Sequence, residues 1–247
     1  HGRTANDIGR LYRGLMHACR PYDVALIGGD TSASKQGLFI NVTLVGSVAP
    51  GRALTRDGAK VGDWLYVTGT LGDSLAGLRL LDRNGRRHAK TLNAATRREL
   101  IARHLRPSPR LALGQALAKR NLATSAIDLS DGLSGDLAHI CEQSRVGASV
   151  DLLRLPLSPA CLDYAEATRA DPFRLALAGG EDYELLFTVP PRRKAEAERL
   201  ARRLGCRLSR IGTIHAPRLG LTLIEPNGSS HKLPIISYRH FDSAPRA

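Results

Sequence analysis

Aromatic side chains and cysteines are scarce in this sequence. It has one Trp, six Tyr and four Phe in 247 residues, and none of them interleaves with the basic runs. Because single-stranded nucleic acids are bound by stacking bases on aromatic rings, the formal net charge of +13 does not by itself favour nucleic-acid binding. The four cysteines contain no C-x-x-C pair. They therefore indicate buried thiols in a reducing compartment, consistent with a cytoplasmic protein, rather than a disulfide framework or a zinc site.

Long apolar runs and several common active-site motifs are also missing. No stretch approaches the ~20 apolar residues of a membrane span, so we expect no membrane association. The sequence has no G-x-x-x-x-G-K-[ST], no H-E-x-x-H and no G-x-S-x-G, which argues against P-loop, zincin and α/β-hydrolase chemistry. The excess of cations still favours an anionic partner, such as a phosphorylated small molecule.

Apolar periodicity predicts strands alternating with helices, the pattern of an α/β or α+β protein. Residues 4–19 read as an amphipathic helix, and residues 23–27 and 38–48 as strands. Pro50-Gly51 opens a linker, which gives predicted domains at 1–50 and 63–247 joined by 51–62. In the second domain we expect strands at 64–68, at the stretch that ends in Asp128, and at 148–153, 184–189, 207–214 and 219–224. We expect helices there from about Asp73 and over 94–105, 110–120, 132–143 and 191–204, and a loop with a helix over 156–172.

Three glycine- and acid-rich turns are adjacent to predicted strands. They are Gly28-Gly29-Asp30-Thr31, the stretch from Asp128 to Gly132, and Gly179-Gly180-Glu181-Asp182-Tyr183-Glu184. Glycine lets the backbone approach a ligand closely, and carboxylates are the hard oxygen ligands that Mg²⁺ prefers when it bridges a protein and phosphates. Each turn alone is equally well explained as ordinary turn chemistry. Three of them in a strongly basic chain predict a magnesium–phosphate site.

The stretch Ile127–Leu133 is the most informative of these turns. Asp128 and Ser130 are two residues apart, so they share one face at the end of a strand. Asp131 occupies the predicted N-cap of the next helix, where backbone N–H groups point outward. The alternative interpretation is one capping aspartate and one surface aspartate.

The three turns also carry a resemblance to a known family. Together with Gly51–Arg56, Gly62–Gly69 and His104-Leu-Arg-Pro-Ser-Pro109, they resemble the thiamine-monophosphate kinase family, in the superfamily of aminoimidazole ribonucleotide synthetase. The matching stretches occur in the family's order along nearly the whole chain. The resemblance implies a two-domain fold of that superfamily, with an incomplete amino-terminal domain that binds ATP and metal and a carboxy-terminal mixed sheet packed by helices.

The resemblance further implies an activity and a set of roles. ATP would phosphorylate thiamine monophosphate to thiamine diphosphate, with magnesium as cofactor and no catalytic side chain. The roles are assigned residue by residue: Asp30, Asp128 and Asp131 as magnesium ligands; Gly29, Asp30, Arg56 and Ser130 at ATP; Glu181 and Tyr238 at the thiamine substrate. A solvated linker arginine is the alternative for Arg56, and a packed surface aromatic is the alternative for Tyr238.

The chain departs from the family at its amino end. It begins with His1 and lacks the family's Gly-Asp-Asp stretch, its substrate-contacting histidine and its Asn-x-Ser-Asp stretch. We therefore expect this chain alone to be weakly active or inactive, and the homodimer typical of the family is in doubt for it. Two other functions stay open: another ATP-dependent enzyme of the superfamily with a different small substrate, or a basic nucleic-acid-binding protein, which would leave the acidic turns unexplained.

Overall fold

The computed structural model describes residues 4–83 and 89–238. It separates into two compact units, His1–Ser47 and Val48–Ala247. The finer division predicted from the sequence, with a linker at 51–62, stays a prediction.

The first unit is built around helix α1, Ala5–Cys19, which a short 3-10 turn at Arg20–Tyr22 follows. Thr4 caps the helix: its hydroxyl accepts from the backbone N–H of Asp7, whose carboxylate accepts from the Thr4 N–H at 2.9 Å. This reciprocal pair is a capping box. The sequence therefore placed this helix correctly.

The strands predicted at 23–27 and 38–48 are absent, so that prediction was wrong. These residues form no hydrogen-bonded ladder, and their apolar side chains are exposed, as the values of 89% for Ile27 and 83% for Phe39 show. Strand-like composition is not sufficient, because an isolated strand leaves its N–H and C=O groups without partners.

The second unit contains one mixed sheet that the sequence pattern largely anticipated. Its described strands are β1 Trp64–Thr68, β2 Ser125–Asp128, β3 Gly147–Asp151, β4 Leu185–Val189, β5 Leu208–His215, β6 Leu221–Ile224 and β7 Ser230–Lys232. They lie in the order β2-β4-β1-β5-β3-β6-β7. Every pairing is antiparallel except β3 with β6, which is parallel. Strand β7 was not predicted because it is short and exposed.

Helices cover the sheet. Those described in this unit are α2 Asp73–Leu81, α3 Ala94–Leu105, α4 Leu111–Arg120, α5 Leu133–Ser144, α6 Pro159–Thr168, α7 Pro172–Ala178 and α8 Lys194–Arg203. Each of the predicted helical ranges overlaps at least one of them, whereas α7 lies almost entirely outside the predicted ranges. The α/β fold class expected from the sequence is confirmed.

Alternation along β1 shows how the sheet buries both faces. Leu65 and Val67 point to one core with side chains of α5 and α7, whereas Tyr66 packs on the other face with Phe187 and the apolar sides of α4 and α8. A third apolar cluster lies between α2, α3 and α6. Each fully buried aliphatic or aromatic side chain contributes about 1.5–3 kcal/mol, so the two-sided core holds the strand ends in fixed positions.

The cysteines agree in part with the prediction. All four lie in the part of the chain that the structure describes and are free thiols; Cys141 and Cys161 are buried, whereas Cys19 and Cys206 are half-buried. Burial raises the pKa of the Cys141 and Cys161 thiols to about 12, so both stay protonated and unreactive at neutral pH.

A search of the described helices for a membrane span was negative. Within residues 4–83 and 89–238, none has both the length and the apolar character needed to cross a bilayer.

Candidate functional site

The acidic turn between β2 and α5 is hydrogen-bonded to the glycine- and acid-rich loop that precedes β4. The Leu129 N–H donates to the Glu184 carbonyl at 2.8 Å, and the Leu129 carbonyl accepts from Tyr183 N–H at 2.9 Å. One step further, the Ser130 carbonyl accepts from Glu181 N–H at 2.8 Å. These bonds continue the antiparallel pairing of β2 with β4, so the fold brings together two of the three acidic turns.

The carboxy-terminal segment closes the same site from another direction. Tyr238 N–H donates to the Asp131 carbonyl at 3.0 Å, and Ile236 N–H donates to the Ser134 hydroxyl at 3.1 Å. The Tyr238 side chain is 52% exposed. Asp131, Glu181 and Tyr238, which lie at least 50 positions apart in the chain, therefore meet at one turn.

The helix cap at this turn differs from the prediction. The N-cap of α5 is Gly132, not Asp131, and its backbone angles of φ 120° and ψ 150° suit glycine. A side chain there would meet the Ala178 carbonyl oxygen at 2.9 Å. The capping carboxylate comes instead from inside the helix, where Asp136 accepts from the N–H groups of Asp131 at 3.2 Å and Gly132 at 3.1 Å. Asp131 is thereby freed from capping, and its side chain is available to a ligand.

The four polar residues of Glu181–Glu184 have different surroundings. Glu184 is buried and accepts two hydrogen bonds of 2.5 Å from the Arg110 guanidinium and one of 2.5 Å from the Thr68 hydroxyl. The Asp182 carboxylate accepts from Gly72 N–H at 2.7 Å and Ser74 N–H at 3.0 Å, which caps α2. The Glu181 side chain is 53% exposed. Glu181 is thus the acid of this loop that can reach a ligand.

The pKa values show where negative charge concentrates. Burial, opposed by hydrogen bonds from Gly132 and Asp131 N–H and assisted by the charges of Asp131 and Asp128, raises the pKa of Asp136 to about 6. Burial, followed by the charges of Glu181, Asp128 and Asp131, also raises the pKa of Tyr183. The charges of Glu181, Asp128 and Asp131 therefore all act on the Tyr183 hydroxyl, so this part of the surface is negative.

The residues present fit a magnesium ion that is shared with a phosphate ligand. Among residues 4–83 and 89–238, no three His, Cys, Asp or Glu side chains form a group able to hold a metal by themselves. Mg²⁺ needs no such cage, because one or two carboxylates commonly hold it together with substrate phosphates and water. The exposed Asp128 and the half-buried Asp131 supply that donor set.

An apolar pocket of about 510 Å³ opens beside Asp128. Its walls include Pro107, Pro109, Leu111 and the Tyr183 side chain. Apolar walls with one charged edge suit a flat ring that bears a phosphate chain.

Gly29 and Asp30 belong to the first unit. Asp30 accepts from the Ser32 hydroxyl at 2.6 Å, and a side chain at Gly29 would meet the Tyr12 hydroxyl oxygen at 3.0 Å. Both residues line a cavity of about 300 Å³ in that unit. Their predicted roles at ATP and magnesium stay predictions.

Arg56 belongs to the second unit and follows Thr55, whose carbonyl accepts from the N–H of Ala126 in β2 at 2.8 Å. The Arg56 carbonyl accepts from the hydroxyl of Ser144, the last residue of α5, at 3.0 Å. The predicted contact of Arg56 with ATP phosphate stays a prediction.

Comparison with protein families matches both units. The model for the AIR synthase related protein, C-terminal domain, matches residues 60–224, and the model for the N-terminal domain matches residues 2–48.

Comparison with solved structures identifies the family within this superfamily. The crystal structure of thiamine-monophosphate kinase from Stenotrophomonas maltophilia K279a is 34% identical with a TM-score of 0.74, covering 90% of this chain and 68% of that chain. The chain belongs to the thiamine-monophosphate kinase family. A second member, AaThiL complexed with AMPPCP and TMP, is 30% identical with a TM-score of 0.77, covering 98% of this chain and 70% of that one.

The curated family members are longer than this chain. The thiamine-monophosphate kinase of Escherichia coli (strain K12) is 47% identical over 220 residues, which are 89% of this chain and 64% of that protein.

The sequence predicts no role for three residues that the structure places at this site: Asp136, His104 and Arg110. Asp136 follows the acidic turn by one helical turn, a spacing that could have suggested a cap. His104 and Arg110 flank the Pro-Ser-Pro stretch, and their partners are 77 and 74 positions away in the chain. No local sequence pattern predicts contacts between residues so far apart in the chain.

The half-buried Asp182 gives a testable pH dependence. Burial raises its pKa to about 7, above the ~3.9 of an unfolded chain. The folded state therefore binds the proton more tightly, so Asp182 favours folding most below about pH 4, and that contribution is lost as pH rises through about 7. The free energy of unfolding of the wild type should fall between pH 4 and 8. We expect this fall to be smaller by roughly 2–4 kcal/mol in Asp182→Asn.

Urea unfolding at several pH values measures this slope. Asparagine loses one of the two amide contacts, which lowers stability by a similar amount at every pH and does not change the slope. The exposed Glu166 supplies the matched control, since Glu166→Gln should retain the wild-type slope. Parallel curves for wild type and Asp182→Asn would contradict the assignment.

Proposed function

We propose that this chain carries out the ATP-dependent phosphorylation of thiamine monophosphate to thiamine diphosphate. The observation that carries the proposal is the convergence of the Asp128–Asp131 turn with Glu181 and Tyr238 through backbone hydrogen bonds. The family membership supports it, because a member has been solved with AMPPCP and TMP.

The residues divide between the two substrates. In the second unit, Asp128 and Asp131 would hold magnesium, and Ser130 and Arg56 contact ATP. The roles of Asp30 at magnesium and of Gly29 and Asp30 at ATP are proposed for the first unit by itself. When bound, magnesium neutralises phosphate charge and aligns the two phosphate groups. Glu181 complements the positively charged thiamine ring system, and the exposed ring of Tyr238 packs on it.

No general base is needed for the transfer. The attacking atom is a phosphate oxygen whose second pKa is ~6, so it is largely ionised at neutral pH. The acceptor oxygen forms a bond to the γ-phosphorus as the bond to the β,γ-bridging oxygen breaks, with ADP as the leaving group. The chain's contribution is to bring two polyanions together in line, which is a matter of position and charge.

An acceptor panel scored by ADP release tests the proposal. With enzyme in excess over ATP, so that slow turnover is visible, we expect magnesium-dependent ADP release with thiamine monophosphate. We expect none with unphosphorylated thiamine or with phosphate esters that lack the thiamine rings. Release with a different phosphate or carboxylate acceptor, and not with thiamine monophosphate, would favour another enzyme of the superfamily.

A further inference from the structure

His104 lies between helix α2 and the loop that carries Glu181. It is near the end of α3, in the His104–Pro109 stretch to which the proposed reaction assigns no role. Its Nδ1 is 3.0 Å from the Ser74 hydroxyl and 3.4 Å from the Glu181 carboxylate oxygen Oε2. The His104 side chain is only 12% exposed, whereas that of Glu181 is 53% exposed. A largely buried ring thus holds an exposed carboxylate.

The loop around Glu181 has an unusual backbone. Glu181 and Tyr183 have positive φ angles of 62° and 50°, a backbone conformation that residues other than glycine rarely adopt. Such strain persists only where surrounding contacts hold it, and it concentrates at ligand sites. Asp182 supplies one anchor, through its bonds to the amino end of α2.

Ser74 links the two anchors. Its N–H donates to Asp182 and its hydroxyl meets His104, and the residue is buried. The position of His104 is therefore fixed by the same helix end that fixes the backbone of the loop. A long, exposed glutamate loses side-chain conformational entropy when a ligand orders it, and its pairing with His104 limits that freedom before a ligand arrives.

We propose that His104 is a positioning residue for the thiamine-phosphate substrate. It orients the Glu181 carboxylate from behind, through the 3.4 Å contact of its Nδ1 with Oε2, and leaves the other carboxylate oxygen to the substrate. The proposal rests on the proposed role of Glu181. It predicts that His104 affects affinity for thiamine monophosphate and leaves affinity for the nucleotide unchanged.

Calorimetry on the full 247-residue chain with thiamine monophosphate, and separately with AMPPCP and magnesium, tests this role. We expect His104→Ala to weaken thiamine monophosphate binding about tenfold, through the loss of one contact that orients Glu181, with unchanged AMPPCP affinity. His104→Asn, whose amide can donate from a similar position, should restore most of the loss. The exposed His139 provides a matched control, and His139→Ala should bind both ligands as wild type does.

A double-mutant cycle separates this inference from the proposed function. If His104 acts through Glu181, then His104→Ala has little further effect in a Glu181→Gln background. If Glu181→Gln alone leaves thiamine monophosphate binding intact, or wild type does not bind it, the role of Glu181 fails and the inference fails with it. If Glu181→Gln weakens binding and His104→Ala does not, only the inference is overturned.

If His104 had only a structural role, its variants would behave differently. His104→Ala and His104→Asn would then lower the melting temperature and the affinity for both ligands together, which overturns the inference. The ¹⁵N resonances of the His104 ring give a readout that does not depend on ligand binding. We expect Glu181→Gln to shift the Nδ1 resonance, and an unchanged resonance would also overturn the inference.

Discussion

Replacing Asp131 by asparagine is expected to weaken magnesium-dependent binding of AMPPCP by about 100-fold or more, since loss of even an outer-shell partner costs about 10- to 100-fold in metal affinity. The substitution removes one negative charge and one strong oxygen ligand. It keeps the shape of the side chain, and the backbone contacts of the turn with Asp136 and Tyr238 are unaffected. The effect therefore reports the metal ligand rather than the fold.

Titration calorimetry with and without Mg²⁺ measures this effect. Without magnesium, wild type and Asp131→Asn should bind the analogue equally weakly. Glu142 is an exposed carboxylate near the carboxyl end of α5, the helix that follows Asp131. Glu142→Gln removes the same charge, so it is the control and should bind as wild type does. Wild-type binding that is indifferent to magnesium would contradict the assignment of Asp128 and Asp131 as metal ligands.

Replacing Arg110 by alanine is expected to lower the free energy of unfolding by about 3–5 kcal/mol, the usual cost of leaving a buried charge without its partner. The Glu184 side chain is only 4% exposed and takes both arms of the Arg110 guanidinium. It also occupies the space that a side chain at Gly69 would need, because an added Cβ there would collide with the carboxylate. The ion pair thus joins β1, β4 and the start of α4.

Urea unfolding monitored by circular dichroism measures this loss. Arg154 forms a far more exposed pair with Asp151 at 2.8 Å, and Arg154→Ala should cost less than about 1 kcal/mol. Arg110→Lys keeps the charge but not the two-point geometry, so its stability should fall between those of wild type and Arg110→Ala. A loss for Arg110→Ala no larger than that of the Arg154 control would show that the buried pair does not hold these elements together.

The reach of sequence reasoning differs between the two units. In the second unit, apolar periodicity located the predicted strands and helices to within a few residues, because both faces of the sheet are buried and the pattern records that burial. In the first unit, the same composition predicted strands at 23–27 and 38–48 that the structure lacks. A strand depends on a neighbour for its hydrogen bonds, and composition does not say whether a neighbour is present.

The sequence by itself determined the fold class, the family resemblance and the position of the acidic turns, since these depend on local periodicity and on the order of short motifs. Only the tertiary structure decided which acid does what. Within Glu181–Glu184, one carboxylate caps a helix 108 positions away, one pairs with a buried arginine, and one faces solvent. Likewise Asp136, and not Asp131, caps α5. The physical reason is that a carboxylate takes whichever N–H or cation the folded chain brings within about 3 Å of it, and distant segments supply most of those partners.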